Sequence, residues 1–224
     1  MLFRSGDSLA GPPSPSCSGS TIEKTRSPER FTASALEIKS WRERTPTCAE
    51  ARPAACPCCS APSRPIDGRL VIVGHGLVER QLLGPSGPGA PPHKAVLLVR
   101  RYRCRACSAV LVVGPRGLVV RRWYRGAAIA LAFAAFARGD TSARVRALVS
   151  PSRFIGASSR ERWMTLTRWI EAARRAELFA IRGLEALERR AIANHVVCVL
   201  AARAGWTLGA DRTAAAVRGA SIAA

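Results

Sequence analysis

Two short cysteine steps constrain this chain more than any other feature. They are Cys56-Pro57-Cys58-Cys59 and Cys104-Arg105-Ala106-Cys107. A turn with C-x-x-C spacing aims two thiolates at one point, and two such turns complete a tetrahedral site of the kind that Zn²⁺ takes. The second step lies between two β-like stretches, residues 95–103 and 109–113, as in a zinc ribbon whose hairpin carries one knuckle. A redox dithiol normally opens a helix in a βαβ setting and needs no second copy. Disulfides are disfavoured, because residues 1–11 contain no apolar signal-peptide core and a reducing cytosol is expected. Cys58 is the odd residue inside the first step. Whether it, or His75 or His93 in the intervening loop, replaces one of the four cysteines is open at this level.

Charge points to the partner. The 224 residues carry a net charge of +20, with only three lysines, Lys24, Lys39 and Lys94, among the cations. Codon bias accounts for arginine over lysine but not for the shortage of acids. The excess is concentrated: residues 56–125 hold 12 basic and two acidic side chains. Such a balance calls for an acidic polymer, most simply nucleic acid. The longest apolar run, Gly126–Ala137, falls short of the ~20 residues that span a bilayer. A membrane role is therefore not expected, and a cytoplasmic, nucleoid-associated protein is.

The expected class is α+β in three parts. Residues 1–54, rich in Ser, Pro and Thr, read as a disordered tail, with residues 31–44 as its one short helix, weakly anchored by Leu36 and Trp41. Residues 55–124 read as a small β zinc ribbon. Within it, residues 69–74 and 77–83 are strand material, residues 84–92 are a Gly/Pro-rich loop, and residues 94–103 return with Val96, Leu98 and Tyr102 on one face. Residues 125–220 read as an all-α, helix-turn-helix-like bundle. Residues 127–137 form its first helix, ended by Gly139, and Thr141 starts a second that stops near Pro151. Ser158-Ser159-Arg160-Glu161 is a capping box that opens a third, with Trp163, Leu166, Trp169 and Ile170 inward. Further helices are expected over residues 182–203 and 211–217. His195 and Cys198, three apart on the first of these, read as a half-buried histidine beside a core cysteine.

Candidate nucleic-acid contacts follow from this layout. Arg100, Arg101, Arg103 and Arg105 crowd the second knuckle, and Arg121 and Arg122 follow it beside Trp123 and Tyr124. Basic groups interleaved with aromatics suit phosphate contact and base stacking, although Trp123 reads first as a core residue. On the third helix Thr165, Arg168 and Arg175 face outward, where a recognition helix would meet the major groove.

Taken together, Cys56-Pro57-Cys58-Cys59, Arg101-Tyr102-Arg103-Cys104-Arg105-Ala106-Cys107, Arg121-Arg122-Trp123-Tyr124 and the alanine-rich helix resemble a bacterial zinc-ribbon family. Its members look like the amino-terminal DNA-binding region of insertion-sequence transposases, and many are known only as domains of unknown function. The resemblance covers about residues 55–175. It implies a Zn²⁺ held by Cys56, Cys59, Cys104 and Cys107, followed by a helix-turn-helix that binds double-stranded DNA. One departure is Ser60 and Ser108, which stand where such knuckles often place Gly; strained turns are expected there.

Catalysis is not expected. Phosphoryl transfer by a transposase needs clustered carboxylates around two metal ions. After the ribbon the acids are Asp140, Glu161, Glu171, Glu177, Glu185, Glu188 and Asp211, mostly at helical spacings that suit solvated faces. The chain reads as a binding module without its own nuclease, able to serve a separate transposase catalytic subunit. The alternatives are an RNA-binding or ribosome-associated zinc ribbon and a protein-interaction scaffold that zinc merely stabilises.

Overall fold

The structure, a computed structural model, describes residues 30–66, 68–119, 122–152 and 163–223. Four strands form one sheet: β1 (Arg30–Glu37), β2 (Ile72–Gly84), β3 (His93–Cys104) and β4 (Val110–Arg116). Their spatial order is β1-β4-β3-β2. The last three form an antiparallel meander, and β1 adds to β4 in parallel. The described helices are α1 (Ile38–Glu43), α2 (Gly126–Ala137), α3 (Ser142–Val149), α4 (Met164–Arg174), α5 (Arg189–Arg203) and α6 (Arg212–Ala223). The mixed α+β class matches expectation.

Sheet burial switches face along its length. Alternate residues of β4 point to opposite sides, so Leu111 and Val113 join Trp41, Ile72 and Tyr102 in one core, while Val112 joins Leu82, Leu97, Val99 and Leu118 in another. Strand β3 accordingly buries Leu97 and Val99 from one face and Tyr102 and Cys104 from the other. Val96 and Leu98 share the face of Tyr102, as their alternate positions require, but lie exposed where Tyr102 is buried. The reason is that β4 begins its pairing only at Arg100, so the first half of β3 has a different set of neighbours.

The segment expected to be a disordered tail is structured from residue 30 onward. Residues 30–37 are a strand rather than the start of a helix, because pairing with β4 satisfies their backbone and half-buries Phe31 and Leu36. Trp41, on α1, is only 1% exposed, and its indole N–H donates to the Leu98 carbonyl at 2.8 Å. That carbonyl lies beyond the end of β4, so the indole supplies a partner where the ladder has none. The loop after α1 is fastened to β3 as well: Arg100 Nε donates to the Pro46 carbonyl at 2.7 Å, and the Tyr102 hydroxyl to the Cys48 carbonyl at 2.9 Å.

The helical part is built around α2. All ten residues from Gly126 to Ala135 are buried, so this helix has no solvent stripe. Its alanines let α3, α5 and α6 approach on different sides. Gly139 follows its end at φ 111°, and the Asp140 amide reaches back to the Ala135 carbonyl at 3.2 Å, as expected for a glycine-terminated helix. Thr141 caps α3 by accepting from the Arg144 amide. Helices α5 and α6 cross so closely that a Cβ on Gly219 would strike the Leu200 carbonyl.

Helix α4 begins at Met164, and the capping box expected to open it lies outside the described residues. Its inward face is as read, with Leu166, Trp169, Ile170 and Ala173 buried. Its nearest backbone neighbour is α5. Helix α5 starts at Arg189 rather than 182, because Gly183 takes φ 79° and breaks the helical path there. The last helix extends six residues past its expected end, to Ala223. Tyr124, Trp163 and Trp169 meet edge-to-face, with ring centroids 5.0–6.0 Å apart, and tie the chain before α2 to α4.

Candidate metal centre and basic surface

The two cysteine steps meet at the end of the sheet where β3 turns into β4. The second knuckle is that turn. The first lies in the loop before β2 and reaches the turn through β2, where Ile72 pairs with Cys104 and the Arg105 amide donates to the Val71 carbonyl. The sulfurs of Cys56, Cys59, Cys104 and Cys107 all lie within 4.8 Å of one another.

The knuckles are near-copies. Each reads Cys-x-x-Cys-Ser-Ala, over residues 56–61 and 104–109. In each, the first cysteine amide donates to the alanine carbonyl five residues on, at 2.9 and 3.0 Å. The first cysteine is buried, Cys56 at 2% and Cys104 at 0% exposure, and the second is exposed. The sulfur contacts follow the same two-fold pattern. Cys56 Sγ lies 3.7 Å from Cys107 Sγ, and Cys59 Sγ lies 3.8 Å from Cys104 Sγ. These separations are far too long for a disulfide of about 2.05 Å. They match the edge of a tetrahedron, about 3.8 Å, whose corners stand about 2.3 Å from a central ion.

Electrostatics favours a cation at that centre. Burial raises the Cys56 thiol pKa, but amide hydrogen bonds from Cys58 and Cys59 and the sulfurs of Cys59 and Cys107 bring it down to about 7. The Ala109 amide pulls Cys107 down, yet Cys59, burial, Cys104 and Cys56 together push it up to about 12. Four adjacent thiols cannot all ionise unless a positive charge sits among them. Four soft sulfur donors in a closed arrangement fit a structural metal ion, with no open position for substrate.

Cys58 is exposed and lies outside the cluster; its amide, not its thiol, takes part, donating to Cys56 Sγ at 3.4 Å. Cys48 is half-buried and also outside it. His75 is exposed on β2. His93 begins β3, eleven residues from Cys104, so neither histidine joins the sulfurs. His195 is exposed on α5, and Cys198 accepts from Arg212 at 3.6 Å, so that pair forms no site.

The basic residues separate by face and partner. Arg103 and Arg105, beside Cys104, are exposed; Arg100 and Arg101 are half-buried, and Arg100 holds the Pro46 loop. Arg122 is half-buried, and its carbonyl accepts from Arg80 at 3.0 Å. Arg121 lies outside the described residues. On α4, Thr165 is half-buried and Arg168 exposed. Arg175, just past the helix, is paired with Glu177 at 2.9 Å, which offsets its charge. Trp123 is 63% exposed, against the expectation that it packs inward; Tyr124 takes the inner position instead, donating to Ser150 Oγ.

The residues that sequence reasoning missed lie upstream. Trp41 was legible only as an isolated aromatic in polar surroundings, and nothing local signals that β3 receives it. Among the described residues no helix is long and apolar enough to cross a membrane. No family model, no curated protein and no solved structure matches this chain.

Proposed function

We propose that this chain is a zinc-stabilised DNA-binding module, related to the amino-terminal region of insertion-sequence transposases and carrying no nuclease of its own. The observation that supports it most is the closed four-sulfur cluster of Cys56, Cys59, Cys104 and Cys107 with exposed Arg103 and Arg105 beside it. Zn²⁺ is the ion of choice for four thiolates in such a site, and once bound it supplies charge neutralisation and a cross-link between two loops. The chain's own residues then hold the knuckle rigid, so that Arg103 and Arg105 present their charges to phosphates at a fixed spacing. Arg168, exposed on a helix whose inner face is pinned by Leu166, Trp169 and Ile170, is the residue suited to read a base edge. In this reading α2, α3 and α4 act as a helix-turn-helix-like unit, and a separate subunit supplies any catalysis.

Trp123 favours a second reading. An exposed indole next to Arg122 is a stacking platform for unpaired bases, as in RNA or single-stranded DNA. Zinc-loaded protein titrated with duplex DNA, single-stranded DNA and RNA at equal salt separates the two. Duplex preference supports the first reading, preference for single strands the second, and no salt-dependent binding at all contradicts both.

A further inference from the structure

The seam between sheet and helices holds a cavity of about 790 Å³. That is within the ~300–1,000 Å³ common for small-molecule sites. Its walls come from the β1–α1 junction, Ser86 in the β2–β3 loop, the end of β4, the start of α2 and the end of α6. Five cations line it: Lys39, Arg42, Arg116, Arg125 and Arg218. Glu37 and Glu43 also line it, yet none of the five cations forms an ion pair among the described residues.

Arg125 is the unusual member. It is 3% exposed, and among the described residues its side chain has one hydrogen-bond partner, with Nη2 donating to His93 Nε2 at 2.9 Å. His93 Nδ1 faces the Pro91 carbonyl at 3.3 Å, which fixes the tautomer that leaves Nε2 as the acceptor. Arg125 Nε is buried with no hydrogen-bond partner among the described residues. Burial, and then the charge of Arg42, lower the Arg125 pKa to about 10. A buried guanidinium without a counter-charge is costly, and an incoming anion removes that cost.

A second feature converges on the same place. Arg125 occupies the N-cap of the twelve-residue α2, which has no side-chain cap and no acid in its first turn. Gly126 donates to the Gly117 carbonyl, and the next residue, Ala127, lines the cavity. The positive end of α2 therefore lies where arginines without an ion-pair partner among the described residues gather. Ile38 and Ile222 add apolar wall, which a bare inorganic ion would not use.

We propose that this cavity binds a phosphorylated organic molecule of nucleotide size, its phosphate seated against Arg125, Arg42 and the N-terminus of α2. The apolar wall takes the organic body, and Glu37 and Glu43 accept hydrogen bonds from its hydroxyl or amino groups. The proposal does not depend on the metal or on DNA binding. A half-open cleft of this volume, with apolar carbon beside its cations, has room for a small ligand.

The test is calorimetric titration of the full chain with inorganic phosphate, AMP, ATP and a 5′-phosphorylated duplex. Variants are Arg42→Gln, which is exposed and spares the core, and Arg125→Met, with circular dichroism to verify folding. AMP or ATP binding that weakens roughly tenfold in Arg42→Gln supports the proposal. Should Arg125→Met fail to fold, Arg42→Gln and Arg218→Gln carry the test alone. No binding of AMP or ATP by folded protein overturns it, as does binding that neither Arg42→Gln nor Arg218→Gln alters. Binding of inorganic phosphate alone removes the organic ligand, and binding of the duplex alone, sensitive to Arg42→Gln, makes the cavity a nucleic-acid contact instead.

Discussion

Ser60 and Ser108 occupy equivalent positions in the two knuckles and share a left-handed backbone, with φ 58° and 60°. Each directly follows the second cysteine of its step, where the chain must fold back so that the preceding sulfurs converge. The Ser60 amide donates to the Cys56 carbonyl at 2.8 Å and closes the first turn. A non-glycine residue in this region costs about 1–2 kcal/mol.

Relief of that strain is measurable. Ser60→Gly and Ser108→Gly should each be neutral or stabilising by up to about 1 kcal/mol in urea unfolding of the metal-loaded protein. Ser60→Val should be destabilising and should reduce metal retention, because a β-branched residue resists positive φ. Equal stability of the Gly and Val variants would show that the turn can adopt another geometry.

The segment from residue 30 to 53 should be indispensable. Trp41→Ala removes a fully buried indole and its bond to Leu98, at a cost of about 3–5 kcal/mol. A chain starting near residue 54 lacks β1 and α1, leaves the β4 edge open, and should unfold at lower urea or associate through that edge. Denaturant curves and sedimentation of the shortened chain check this. Unchanged stability would mean that β1 contributes nothing to the sheet.

Metal uptake should release protons. With Cys56 near 7 and Cys107 pushed up to about 12, thiol protons remain in the metal-free cluster at neutral pH. Filling the site should release more than one proton per ion, and apparent affinity should fall as pH is lowered through 7. A pH-indicator titration reads the stoichiometry directly. Release of no protons would mean that the sulfurs are not the ligands.

The knuckle and α4 should affect DNA binding differently. Arg103→Gln with Arg105→Gln should weaken all duplexes alike and lower the salt slope by roughly two. Arg168→Ala should instead narrow the gap between a selected site and random DNA, by about 1–3 kcal/mol if the contact is bidentate to guanine. Titrations across salt concentrations on both kinds of duplex distinguish these effects.

How far the sequence reaches can be judged residue by residue. The four clustering cysteines were legible, because C-x-x-C spacing is a local constraint that the chain cannot satisfy in many ways. So were the hairpin around Cys104, the helix stop at Gly139 and the helix start at Thr141, each set by a backbone requirement within a few residues. Residues 30–37 were not legible as a strand. Their Ser, Thr and Ala content masks the alternation, and what makes them a strand is β4, some eighty residues away. Trp123 was not legible as exposed for a similar reason: adjacent aromatics alternate in direction, and only the arrival of Trp163 and Trp169 at Tyr124 decides which one is covered. The cavity at Arg125 joins five separate stretches of chain and leaves no local signature.

The most direct test of the central claim is X-ray absorption at the zinc edge on freshly purified, reduced protein, together with metal analysis. One zinc per chain with four sulfur neighbours at about 2.3 Å is the predicted result, lost in Cys104→Ser and retained in Cys48→Ser and Cys58→Ser. Absence of zinc, or a shell containing nitrogen in place of sulfur, would contradict the assignment of Cys56, Cys59, Cys104 and Cys107 as its ligands.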